Sequence, residues 1–126
     1  MSASAKPVSG SLPGKLLSEL DVVIPGPEEV TGYLERHEDL AEVVSVACRC
    51  AREEFGDRAE LSLELYHDPE IADEYLTLYV RLPVYEKPLL NRLDDVRSRY
   101  RGLLADRSGW LHVTTDYRLA GARHGL

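Results

Sequence analysis

The alternation of apolar and polar residues on either side of an acidic turn constrains this chain more than any other feature. Leu61, Leu63 and Leu65 recur at every second position, as do Leu76, Leu78, Val80 and Leu82 beyond the turn Asp68-Pro69-Glu70-Ile71-Ala72-Asp73-Glu74. Side chains of a strand point alternately to its two sides, so each run sends its apolar set to one face. The runs Glu60 to Tyr66 and Tyr75 to Leu82 are therefore read as a long β-hairpin with one core face. Its other face carries Glu60, Ser62, Glu64 and Tyr66, then Tyr75, Thr77, Tyr79 and Arg81.

The flanking segments supply the rest of the core. Val22-Val23-Ile24 is a β-branched run stopped by Pro25-Gly26-Pro27; it reads either as a short strand or as an extended piece against the next helix. Pro27, followed by Glu28 and Glu29, predicts a helix start, because proline suits the first turn and acids suit its partial positive charge. Apolar positions then recur every three or four residues from Val30 to Phe55, up to Gly56. Asp39 and Glu42 have the spacing of a capping box, so this stretch is one helix or two with a break near His37. Pro83 ends the second hairpin strand and Pro88 opens a helix whose stripe, Leu89, Leu93, Val96, Tyr100 and Leu103-Leu104, runs to about Ala105. Ser108-Gly109 makes a turn, and Trp110 to Tyr117 reads as a last strand. Its inward set is Leu111, Val113 and Thr115, or the opposite set if Trp110 is buried.

The order strand, helix, strand, strand, helix, strand predicts an α+β two-layer sandwich. Its sheet is three- or four-stranded and mainly antiparallel, with two helices on one face. If Val22 to Ile24 is a strand, the βαββαβ order is that of a ferredoxin-like domain, which would put this short segment in the sheet centre. The right-handed crossover rule brings the last strand back parallel to the second hairpin strand. Residues 1–14 are rich in Ser, Ala, Gly and Pro and are expected to form a flexible arm, 15–119 a single domain, and 120–126 a flexible tail.

Composition narrows the functional classes. With 15 basic and 22 acidic residues the chain carries a formal charge of −7, which repels a polyanion, so nucleic acid is disfavoured. No run approaches the roughly 18 apolar residues of a membrane span, and the N-terminus lacks the apolar segment of a signal peptide; a cytoplasmic location without membrane contact is expected. Cys48 and Cys50 lie two apart in a helical segment, which suits neither a mutual disulfide nor the spacing of a zinc pair, and they read as small semi-buried thiols. His37, His67, His112 and His124 are too scattered for a metal site. No metal or cofactor is expected, and no catalytic residue is assigned.

Two sets of residues carry the functional reading. Tyr66, Tyr75, Tyr79 and Arg81 on the outer hairpin face, with Asp68, Glu70, Asp73 and Glu74 at its tip, have the character of a protein interface, where tyrosine and arginine are enriched. They predict a non-enzymatic interaction module, regulatory, accessory or antitoxin-like, whose partner is another protein or a second copy in a homodimer. The alternative is a small enzyme or polar-ligand binder using Glu64, His112 and Asp116. His112 and Asp116, four apart on one strand, would be roughly 13 Å apart and form no dyad by themselves. A further alternative, an RNA-binding sheet with stacked tyrosines, is opposed by six acids against Arg81 alone between Glu60 and Leu82. The segments Leu61 to Glu70, Glu74 to Arg81, Ser108-Gly109-Trp110 and Thr114-Thr115-Asp116 are similar to those of small bacterial α+β proteins without established activity. That resemblance spans Pro27 to Arg118 and implies no chemistry.

Overall fold

The computed structural model describes residues 14–70 and 73–121. Most of the expected N-terminal arm lies outside these residues, as do Ile71 and Ala72 of the hairpin turn and the tail beyond Gly121. The elements in chain order are α1 (Gly14–Glu19), β1 (Val22–Val23), α2 (Pro27–Arg36), a 3₁₀ turn (Glu38–Leu40), α3 (Ala41–Phe55), β2 (Glu60–Asp68), β3 (Asp73–Arg81), α4 (Leu89–Leu104) and β4 (Leu111–Thr114).

The hairpin forms, in a register that keeps the alternating apolar set on one face. Leu61 faces Val80, Leu63 faces Leu78 and Leu65 faces Leu76, while Glu60 faces Arg81 and Tyr66 faces Tyr75. The inner set packs with Val30, Leu34, Val43, Val44, Ala47, Leu93 and Val96 of the helices into one core. The strands run two positions further towards the tip than the sequence reading placed them, because Asp68 still pairs with Asp73.

Val22–Val23 is a true strand, parallel to β2, and β4 is parallel to β3. The sheet order is β1-β2-β3-β4, so the hairpin is central and the short first strand lies at an edge. This differs from a ferredoxin-like arrangement with its first strand in the centre, and the sheet is mixed instead of mainly antiparallel. An edge needs only one partner, which a two-residue strand can satisfy. Both crossovers step the same way across strands of opposite direction while α3 and α4 pack on each other over one face. They are therefore of opposite hand, and one departs from the right-handed preference.

The break near His37 is present, but the capping box is not. The N-cap of α3 is Leu40, with no side-chain cap, and the Asp39 carboxylate instead accepts from the backbone N–H and hydroxyl of Ser108 at 3.0 Å each. The apolar stretch at Leu16-Leu17 forms the additional short helix α1, with Leu17 buried. Arg52 ties this N-terminal segment to the sheet by donating to the carbonyls of Leu20, Gly56 and Ala59 at 2.7–3.0 Å. The last strand ends at Thr114, and beyond it Leu119 bridges Leu82. No helix among the described residues is long and apolar enough to cross a membrane.

Candidate functional site

The sheet register sorts the outer face into rows. From the base of the hairpin to its tip they are Glu60 and Arg81; Ser62, Tyr79 and Thr114; Glu64, Thr77 and His112; Tyr66 and Tyr75; Asp68 and Asp73. Trp110 directly precedes β4 and extends the Tyr75 row, since the Leu76 N–H donates to its carbonyl at 3.0 Å. Among the described residues the buried helical side chains join the inner-face core, and on the outer face Ser62, Thr77 and Arg81 are buried whereas Tyr66 and Trp110 are exposed.

The base of this face is closed by a charge knot. Arg81 is only 3% exposed, and its guanidinium donates to Asp116 through Nε and Nη2 at 2.9–3.3 Å, to Glu60 at 3.1 Å and to Glu64 at 3.4 Å. It also lies 5.1 Å from the centroid of the Tyr79 ring. Burial of a charge costs several kcal/mol unless it is paired and hydrogen-bonded, and the acids supply that pairing. The Asp116 hydrogen bonds, followed by those of Glu60 and the acidic field, outweigh desolvation and hold Arg81 protonated. Asp116 is partly buried, which acts to raise its pKa, but Arg81 and the Arg118 N–H outweigh this and lower it. Arg81 is thus an interior residue, although its sequence position suggested a partner-facing one.

The polar-ligand set does not converge. Glu64 and Asp116 both meet Arg81, and Glu64 also accepts from the buried Ser62 hydroxyl at 2.7 Å. His112 is separated from Glu64 by the whole width of β3, about 9–10 Å at the backbone, with Thr77 between them. Burial and then the Arg97 charge push the His112 imidazole pKa down, which favours its neutral form. Burial, followed by Glu64 and Asp116, raises the Tyr79 pKa.

The tip of the face is aromatic and acidic. The Tyr66 and Tyr75 rings are tilted against each other with centroids 5.0 Å apart, Tyr66 is 40% exposed and Trp110 is 53% exposed. A cleft of about 510 Å³ is lined by Asp73, Glu74, Tyr75, Trp110 and His112. Glu74 pairs with Arg36 and His67, each at 3.1 Å, while Glu70 is exposed and donates its N–H to Asp68. Sequence reading placed the tyrosines and acids here. It did not include Trp110, whose burial was left open, because strand alternation alone cannot tell an exposed outer face from a covered one.

A second cluster also has no counterpart in the sequence-based sites. Tyr33 Oη accepts from the Trp110 N–H at 3.1 Å and donates to the Glu74 carbonyl at 3.3 Å, fastening the end of β4 to the hairpin tip. His37 stacks on Tyr33 and lies 3.0 Å from the Ser108 hydroxyl. Gly109 fits against these rings because an added Cβ would lie 2.9 Å from His37 and 3.1 Å from the Tyr33 hydroxyl. In a hydrolytic triad the imidazole sits between serine and carboxylate. Here Ser108 sits between His37 and Asp39, an order that braces a loop and places the carboxylate on the serine, where it does not orient the imidazole as a base. No family model, curated protein or solved structure matches the chain.

Proposed function

We propose that this protein is a non-enzymatic binding module of regulatory or accessory type, antitoxin-like in mode, that docks another protein on the outer sheet face and hairpin tip. The observation that carries this reading is the tip half of the outer face, where the paired Tyr66 and Tyr75 share a row with the exposed Trp110, with Tyr79 two rows further towards the base. Rigid aromatics presented on a pre-formed sheet bury large areas at low entropic cost, which suits an interface. On this reading the protein acts in the cytoplasm. The polar-ligand alternative has less support, since Glu64 and Asp116 are drawn onto Arg81 and held away from His112.

The test is capture from the source cell extract, followed by reconstitution with the identified partner in pure form. Tyr66→Ala with Tyr79→Ala is expected to abolish the complex while the circular dichroism spectrum is unchanged. Leu90→Ser, on the exposed side of α4, is expected to leave it intact. Light scattering distinguishes self-association from a foreign partner. Equal retention of a partner by the double tyrosine variant, or a monomer that captures nothing, overturns the reading.

A further inference from the structure

Charge is arranged differently on the two sides of the hairpin tip. On the side facing α2, the Glu74 charge is matched by Arg36, and its carboxylate also lies 3.1 Å from the His67 imidazole. On the outer side Asp68 stands directly across from Asp73, and neither carboxylate has a basic partner among the described residues. Asp68 accepts the nearby Glu70 N–H, at 2.9 Å. Like charges directly opposed on neighbouring strands destabilise a sheet, so this pair is an unrelieved repulsion that a cation would offset.

The next row supplies the other half of a cation site. Tyr75 follows Asp73 on the same face, and Trp110 continues its row across the cleft. The main chain of Trp110 is held on both sides, by Tyr33 Oη and by the Leu76 N–H, which fixes the backbone that carries the indole at the end of this row. His112 at the inner end favours its neutral form and brings little positive charge into the cleft. Aromatic rings beside an unpaired carboxylate attract an organic cation through both the ring quadrupole and a charge-assisted hydrogen bond.

We infer that the cleft between Asp73, Tyr75 and Trp110 receives a lysine or arginine side chain from a basic segment of the docked partner. This rests on the docking reading above and names the chemistry of its partner. A second copy is disfavoured as the occupant because each chain carries a net charge of −7 and the same acidic tip.

Trp110 is the single tryptophan, so its fluorescence reports on the cleft directly. The probe is a tetralysine amide, titrated at constant ionic strength against tetraglutamate, with amide shifts followed by NMR. Tetralysine is expected to change Trp110 emission saturably and to shift residues 73–75 and 110–112, and tetraglutamate to do neither. Asp73→Asn is expected to weaken binding at least tenfold with a thermal midpoint equal to or above wild type, since it relieves the Asp68 repulsion; Asp95→Asn on α4 is the silent control. An absent response, or equal weakening by Asp73→Asn and Asp95→Asn, overturns the inference. If that happens while the reconstituted complex still depends on Tyr66 and Tyr79, only the cation site falls; if that dependence is also missing, the docking reading falls with it.

Discussion

Arg81 illustrates how much one side chain can organise. Its guanidinium is shared by Glu60, Glu64 and Asp116, and Glu60 also accepts from the Gly121 N–H at 2.8 Å, so the knot fastens the chain beyond β4 to the base of the hairpin. Replacing Arg81 by Met leaves the acids uncompensated in a half-buried setting and is expected to cost about 3–5 kcal/mol in urea unfolding at neutral pH. The loss should shrink in acid, where the carboxylates are protonated, and Arg81→Lys should fall between the two. The cysteines differ just as sharply. Cys48 is fully buried and desolvation pushes its thiol up to about 12, whereas Cys50 is only partly buried. A thiol reagent at pH 8 is expected to modify Cys50 in the native protein and Cys48 only after unfolding; equal rates under native conditions would contradict the buried placement.

At the scale of elements, β4 is an edge strand whose outer side is guarded by the helix that precedes it. The Val113 N–H donates to Tyr100 Oη at 3.2 Å, and its carbonyl accepts from Arg97 Nε at 2.8 Å. Exposed strand edges template pairing with other chains, and these two side chains occupy the groups such pairing would use. Combining Arg97→Ala with Tyr100→Phe is expected to lower stability by about 1–3 kcal/mol for each buried group left unpaired. It should also produce concentration-dependent association beyond that of wild type by light scattering. The apolar stripe predicted α4 but not the Arg97 contact, since a stripe records which face is buried and not which strand edge lies within reach of an arginine. The break at His37 was one of two readings that the sequence left open, and the structure decides it. The role of Asp39 was not legible, because its actual partner Ser108 is 69 residues away.

For the whole molecule, the electrostatic arrangement sets an acid response. Asp39 is held below its ordinary 3.8 mainly by the Ser108 backbone N–H. Asp116 is lowered on balance by Arg81 against its own burial. A carboxylate with a depressed folded pKa contributes stability above its unfolded pKa and loses it as pH falls through the folded value. His112 acts in the same direction, because its folded pKa lies below the ordinary 6.5 and the fold disfavours its protonated form. Stability should therefore decline first as pH drops below about 6.5 and again below about 4. Urea midpoints at pH 7.5, 5 and 3 are expected to fall in that order. His112→Asn should flatten the first step, and Asp39→Asn should reduce the second.

The sequence by itself determined the hairpin and the division of its two faces, because a period of two is a local property that any core must respect. It likewise placed helical stretches after Pro27 and after Pro88, through their apolar spacing and the prolines that open them, but not α1. The tertiary structure alone decided which outer-face residues remain available. Arg81 is withdrawn by acids from two separate segments, β2 and the chain beyond β4, Trp110 is brought beside Tyr75 by a parallel pairing, and β1 is placed at an edge. Each of these depends on distant parts of the chain meeting, and residue spacing carries no record of such meetings.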